Sequence, residues 1–131
     1  MERIDLKHEG SKKALKTLRG ILKEPFSTII RDAAIRRFEY TFEAFWKFIK
    51  EYLKVKEGII ANSPKSCFKE VFSLGFCTEE ETVRLQEMTD KRNETSHMYK
   101  EAAAQAIYDG LEGYLLLMEG VLINLEKKYS V

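Results

Sequence analysis

Apolar residues recur at three- and four-residue spacing along most of the chain, which is typical of helices that bury one face. The first stripe, from about residue 6 to 23, consists of Ala14, Leu15, Leu18, Ile21 and Leu22. It predicts a helix that ends at Glu24-Pro25, because a residue that precedes proline is pushed out of the helical region.

The second stripe is the longest and is rich in aromatic residues. It runs from about residue 27 to 56 and contains Ala34, Ile35, Phe38, Phe42, Phe45, Trp46, Ile49 and Leu53. Gly58 follows as a natural C-terminal stop. This pattern predicts one long helix with a wide buried face.

Three further helices are predicted from their end signals. Ser63 and Pro64 suit the N-cap and first position of a short helix that stops at Gly75. Thr78 and Glu81 form a capping box for a helix that runs to about Lys91. A fifth stripe runs from about residue 101 to 128, and no alternating strand pattern competes. We therefore predict an all-α fold, an antiparallel up-and-down bundle of four to five helices, as a single domain over residues 1–131.

Composition suits a globular protein and gives no global signal for nucleic acid. The chain has 131 residues, of which 44% are hydrophobic and 33% charged, enough for one ordinary core. The formal net charge of +1 supplies no global basic field. Two basic runs, Lys12 to Arg19 and Arg31 to Arg37, are interpreted as solvated helix faces.

Cys67 and Cys77 are the only cysteines, and both lie among apolar residues. Reduced core thiols are expected, and with them a cytoplasmic location. The first residues lack the apolar region of a signal peptide, and the longest apolar runs are too short to span a bilayer. No membrane association is expected.

The candidate chemistry lies in the polar segment from Arg92 to Tyr99, between the fourth and fifth helices. Arginine suits phosphate, and His97, one of two histidines, could exchange protons near neutral pH. On one continuous helix, five residues of roughly 100° each would place Arg92 and His97 about 140° apart. Both could face one ligand only if the helix breaks there or a second copy contributes across a two-fold axis.

The alternative is a plain helix–helix corner. Asn93, Thr95 or Ser96 would then cap the next helix, and His97 would be a satisfied interface residue. Elsewhere, Glu39 and Glu43 are read as polar-face residues or partners of Arg36 or Arg37, and no metal site is expected because a partner Glu-x-x-His motif is missing. His8 has no ligand-spaced neighbour and is expected at the surface.

The order of these motifs resembles a known family. Arg92, His97 and Tyr99 match the R-x4-H-x-Y signature of HEPN-domain proteins. The segment 37–43, followed by Trp46-Lys47, and the later Ser63-Pro64 resemble the branch of nucleotidyltransferase substrate-binding proteins. The resemblance covers nearly the whole chain. Val83 and Lys100 depart from the branch, where an aromatic and an acidic residue are common.

The resemblance implies a homodimer in which two copies of the motif meet, and a minimal nucleotidyltransferase encoded nearby as partner. In toxin–antitoxin relatives the HEPN chain is a metal-independent ribonuclease with the motif Arg and His as catalytic residues, here Arg92 and His97. The partner silences it by transferring AMP to the motif tyrosine, here Tyr99. Tyr99 and Asn93 are thus the expected modification and nucleotide-binding residues. RNA and ATP or AMP are the implied ligands, and no bound cofactor is expected.

Two classes of function follow. The first is a substrate-binding subunit that presents Tyr99 or a nucleotide to a nucleotidyltransferase. The second is an enzyme, a ribonuclease toxin that uses Arg92 and His97. A helical dimerisation module without catalysis is a third reading.

Overall fold

The computed structural model describes residues 2–129, and in this range the chain is helical without any strand. Five α-helices follow one another: α1 (Arg3–Leu22), α2 (Thr28–Tyr52), α3 (Pro64–Ser73), α4 (Glu79–Glu94) and α5 (Glu101–Tyr129). The predicted all-α bundle is confirmed, with boundaries within a few residues of those that the sequence suggests.

The predicted helix starts are confirmed by their caps. The Ser27 hydroxyl accepts a hydrogen bond from the Ile30 amide at 3.0 Å at the start of α2. Ser63 caps α3 with Pro64 at its first position, and Thr78 caps α4 in a reciprocal capping box with Glu81. These caps satisfy amides that have no partner inside their own helix.

The end of α2 differs from an ordinary helix. The turn Leu53–Glu57 is π-helical and closes at Gly58, whose φ of +68° lies in the left-handed region. Gly75 after α3 has a φ of +84°. Both glycines stop their helices as predicted, since left-handed φ costs a residue with a Cβ about 1–2 kcal/mol.

Helix α2 lies at the centre of the bundle. The predicted aromatic stripe is buried except for Trp46, which is only partly buried. Phe68 of α3 packs against the edge of Phe42 with 6.2 Å between ring centroids, and Tyr114 of α5 stacks on Phe38 at 5.9 Å. The long second helix thus carries the shared core.

Contacts between helices fix their directions. Arg3 at the start of α1 lies 3.6 Å from Glu51 near the end of α2, and Arg37 donates to the Thr17 carbonyl at 2.9 Å. These pairs make α1 and α2 antiparallel. Buried Thr41 donates to the Ala14 carbonyl at 3.1 Å and joins the same two helices inside the core.

Two expectations about individual side chains have different outcomes. Cys67 and Cys77 are free and buried, as predicted, and burial raises the pKa of the Cys67 thiol to about 11. The surface position expected for His8 is wrong. Its ring packs between Phe48 and Tyr129, with centroids 5.1 and 5.0 Å away, because the end of α5 covers the start of α1.

Between residues 2 and 129, none of the helices combines the length and apolar composition that a membrane span requires.

Candidate functional site

The segment from Arg92 to Tyr99 breaks the helical course of the chain. Helix α4 ends at Glu94, a 3₁₀ turn covers Thr95–His97, and α5 begins at Glu101. The Met98 amide donates to the Thr95 carbonyl at 3.1 Å, which closes this turn. Arg92 and His97 therefore lie on different elements, and the first of the two predicted arrangements, a break in the helix, is present within one chain.

Arg92 is held against helix α2. Its Nη1 lies 3.5 Å from Glu39 Oε2, and its Nη2 lies 3.5 Å from Glu43 Oε1. Nη1 also donates to the Thr95 hydroxyl at 3.1 Å. Both ion-pair distances are long, and the buried Nε has no hydrogen-bond partner in the described part of the chain. The side chain is 25% exposed, so an anionic ligand could approach its Nη donors, although not the buried Nε.

Thr95 fixes the corner. It is 2% exposed, and its hydroxyl lies 3.0 Å from Glu39 Oε2 and 2.8 Å from the Arg92 carbonyl. A buried hydroxyl needs such partners, because an unpaired polar group in the core is costly. One side chain therefore joins the turn, the end of α4 and the middle of α2.

The two carboxylates have further partners on α2 itself. Glu39 Oε1 accepts from Arg36 at 2.9 Å, as predicted, and Glu43 Oε2 accepts from Trp46 Nε1 at 2.7 Å. Arg37, the other predicted partner of these carboxylates, instead donates to the Thr17 carbonyl. The link from Glu39 and Glu43 to Arg92 spans 53 and 49 residues of the chain, and no local pattern signals it. Among residues 2–129 no group of three metal-ligating side chains occurs.

Arg31 anchors the start of α5 to α2, as Thr95 anchors the end of α4. Arg31, 3% exposed, donates through Nη2 to Glu101 Oε2 at 3.1 Å and through Nε to Asp32 at 3.1 Å. The hydrogen bonds from Arg31 lower the pKa of the Glu101 carboxyl, and those carboxylates raise the pKa of Arg31. The interpretation of the second basic run as a solvated face is therefore wrong at Arg31, whereas Lys12, Lys13 and Lys16 are exposed as predicted.

Between these two anchors the chain forms an arch, residues 96–100, which is exposed except for Met98, whose side chain packs against the core. His97 is exposed and Tyr99 is 76% exposed, with 6.2 Å between the centroids of their rings. Asn93 is exposed on the last turn of α4. The Ser96 hydroxyl donates back to the Asn93 carbonyl at 3.2 Å. The predicted alternative in which Ser96 caps the next helix is wrong, because α5 begins only at Glu101.

The three motif side chains differ in their exposure to solvent. Arg92 sits in a polar network that orients its guanidinium, while the imidazole of His97 and the phenol of Tyr99 are open to solvent. The arch can therefore offer a proton-exchanging ring and a nucleophilic hydroxyl to a large partner without opening the core.

Comparison with known proteins supports one family. The family model described as nucleotidyltransferase substrate binding protein like matches residues 6–127. A crystal structure of a protein from Thermus thermophilus is 45% identical, with a TM-score of 0.84, and the match covers 88% of this chain and 98% of that one. No curated protein matches the chain.

Two more distant structures share the fold. A chain of the tri-AMPylated Shewanella oneidensis HEPN toxin in complex with MNT antitoxin is 17% identical, with a TM-score of 0.76 and coverage of 97% and 99%. A Haemophilus influenzae protein, described as revealing the fold of a substrate binding domain of a nucleotidyltransferase, is 21% identical, with a TM-score of 0.67 and coverage of 94% and 96%.

Proposed function

The chain belongs to the nucleotidyltransferase substrate binding protein like family, and we propose that it is the HEPN-type partner of a minimal nucleotidyltransferase. It would form one domain, pair with a second copy and present Tyr99 as the acceptor of AMP. The observation that carries the proposal is the arch, in which Tyr99 follows Arg92 and His97 of the motif and is 76% exposed.

The proposed reaction uses ATP bound by the partner. The Tyr99 hydroxyl oxygen attacks the α-phosphorus, the bond from that phosphorus to the bridging oxygen breaks, and pyrophosphate leaves. The phenolic proton passes to solvent or to a base of the partner. The Tyr99 hydroxyl must be accessible to the partner for this step. Tyr99 is exposed on the arch, while both ends of the arch are anchored to α2. The AMPylated toxin of similar fold supports this chemistry.

Intact mass spectrometry tests the AMP acceptor. We expect the chain to gain the mass of one or more adenylyl groups when incubated with the partner and ATP. Tyr99→Phe should abolish the gain, whereas Tyr40→Phe should keep it. Tyr40 is a matched control because it is also exposed, at 48%, and lies on α2 outside the arch. Equal AMP uptake by wild type and Tyr99→Phe would contradict the assignment.

A second function, a metal-independent ribonuclease, is favoured by the surroundings of Arg92. Its ion pairs are long and its side chain is 25% exposed, so a phosphate could take up its Nη donors. Arg92 would stabilise charge on that phosphate, and His97 would move the proton of a ribose hydroxyl or of the leaving oxygen. In the proposed homodimer the two copies of the motif meet.

Cleavage of RNA in the presence of EDTA tests this activity. We expect His97→Ala to abolish cleavage and Ser96→Ala, an exposed neighbour in the same turn, to retain it. Intact RNA after incubation with the unmodified wild-type dimer would refute the ribonuclease while leaving the AMP acceptor untouched.

A further inference from the structure

A cationic cleft lies outside the motif, between the first turns of α1 and the C-terminal part of α2. Its volume is about 320 Å³, near the lower end of the range for small-molecule sites. Five basic side chains line it: Arg3, Lys7, Lys47, Lys50 and Lys54. Neither basic run noted in the sequence contributes to this cleft.

Helix periodicity explains how the cleft forms. Lys47, Lys50 and Lys54 are spaced by three and four residues and so share one face. Arg3 and Lys7 are one turn apart on α1, and the antiparallel packing of the helices brings the two sets together. Lys54 lies in the π-helical turn that ends α2, and such turns are frequent at functional sites.

The positive charge of the cleft is only partly balanced. Glu51 lies 3.6 Å from Arg3, and Glu43 lies 3.9 Å from Lys47. Within residues 2–129, Lys7, Lys50 and Lys54 form no ion pair. Like charges gathered on facing helices repel one another, so an anion in the cleft would be stabilised by several cations together.

Trp46 adds an aromatic wall to this cleft. Its Nε1 donates to Glu43 at 2.7 Å, which fixes the orientation of the ring, and Lys50 Nζ lies 5.9 Å from the ring centroid. Cations beside an aromatic face recognise the phosphates and the base of a nucleotide, since phosphates pair with the cations and bases stack on rings.

We propose that the cleft binds a nucleotide, with its phosphates among the lysines and its base against Trp46. The nucleotide belongs either to a free nucleoside triphosphate or to a single-stranded RNA. The site adjoins the motif, because Glu43 bridges Trp46 and Arg92 through its two oxygens. The proposal goes beyond the acceptor role of Tyr99, and binding to this chain alone tests it.

Fluorescence of Trp46 measures the binding directly, because it is the only tryptophan in the chain. ATP and a short oligoadenylate RNA are titrated separately at fixed ionic strength, and inorganic triphosphate serves as the probe without a base. We expect a saturable change with ATP or with RNA. The tighter of the two identifies the source of the nucleotide, and inorganic triphosphate should bind more weakly.

Two variants that lose the same positive charge distinguish binding in the cleft from nonspecific electrostatic attraction of the anion to the protein. The triple variant Lys47→Gln, Lys50→Gln, Lys54→Gln should weaken binding at least about tenfold. The triple variant Lys12→Gln, Lys13→Gln, Lys16→Gln removes the same charge from an exposed face outside the cleft and should bind like wild type. Circular dichroism checks that both variants are folded, and the charge-conserving variant Lys47→Arg, Lys50→Arg, Lys54→Arg should bind like wild type.

Three results would overturn the proposal. The first is no saturable change with either ATP or RNA. The second is an equal loss of binding in the two triple variants, which would mean that net charge alone attracts the ligand. The third is inorganic triphosphate that binds as tightly as the tighter of ATP and RNA, which would show that Trp46 recognises no base. None of these results bears on AMP transfer to Tyr99, so the two proposals fail independently.

Discussion

Thr95 offers the sharpest test of how the candidate site is built. The substitution Thr95→Val keeps the branched shape of the side chain and removes only the hydroxyl. That hydroxyl accepts from Arg92 Nη1 at 3.1 Å and lies 3.0 Å from Glu39 Oε2. The change therefore removes two contacts with charged groups and leaves no large cavity.

The structure sets the size of the effect. A hydrogen bond to a charged group contributes about 1.5–3 kcal/mol. Glu39 keeps Arg36 as a partner, and its side chain is 18% exposed, so water replaces part of what is lost. We expect the free energy of unfolding to fall by about 2 kcal/mol. The free energy of unfolding decreases by about 2 kcal/mol for each molar of urea, so the urea concentration at the unfolding midpoint should fall by about 1 M.

Urea denaturation followed by circular dichroism measures this change. Ser96→Ala is the matched control, because its exposed hydroxyl bonds only to the Asn93 carbonyl, and it should shift stability by less than about 0.5 kcal/mol. A double-mutant cycle with Glu39→Gln should give a coupling of about 1 kcal/mol. If Thr95→Val and Ser96→Ala unfold at the same urea concentration, the hydroxyl does not hold the corner.

Two further predictions concern the rest of the fold. Gly75→Ala should destabilise the protein by about 1–2 kcal/mol, because the φ of Gly75 is +84°. Gly20→Ala, on the exposed side of α1 with open space around it, should stabilise the protein by about 0.5–1 kcal/mol. If both substitutions shift the thermal midpoint in the same direction, the argument from backbone conformation is wrong. Burial and the Glu57 carboxylate raise the pKa of Tyr52 above its ordinary value. As pH rises above about 10, this tyrosine therefore ionises first in the unfolded chain, and the free energy of unfolding should fall. Tyr52→Phe should reduce that loss of stability at alkaline pH, and the same pH profile in wild type and variant would refute the prediction.

Local signals made the helices predictable. Caps at Ser27, Ser63 and Thr78 act over three or four residues, so each can be read from a short window of sequence. The π-helical turn after α2 could not be predicted, because its residues fit an ordinary helix equally well. The position of His8 also depends on where the end of α5 packs, and no neighbouring residue encodes that.

The candidate site was predictable in part for the same reason. The order of Arg92, His97 and Tyr99 is visible in the sequence, and their spacing predicts either a break in the helix or a contribution from a second copy. The partners of Arg92 on α2 lie about fifty residues away along the chain, so only the tertiary fold reveals them. The catalytic, acceptor and dimer assignments stay predictions.

The two anchors of the arch have a consequence for evolution. Thr95 and Arg31 are buried and join the arch to α2, whereas His97 and Tyr99 are exposed and contribute little packing. Substitutions at exposed positions usually change stability by no more than about 0.5 kcal/mol. A lineage can therefore exchange or lose the reactive residues without losing the scaffold, and descendants with one architecture can diverge between active enzymes and inert binding subunits.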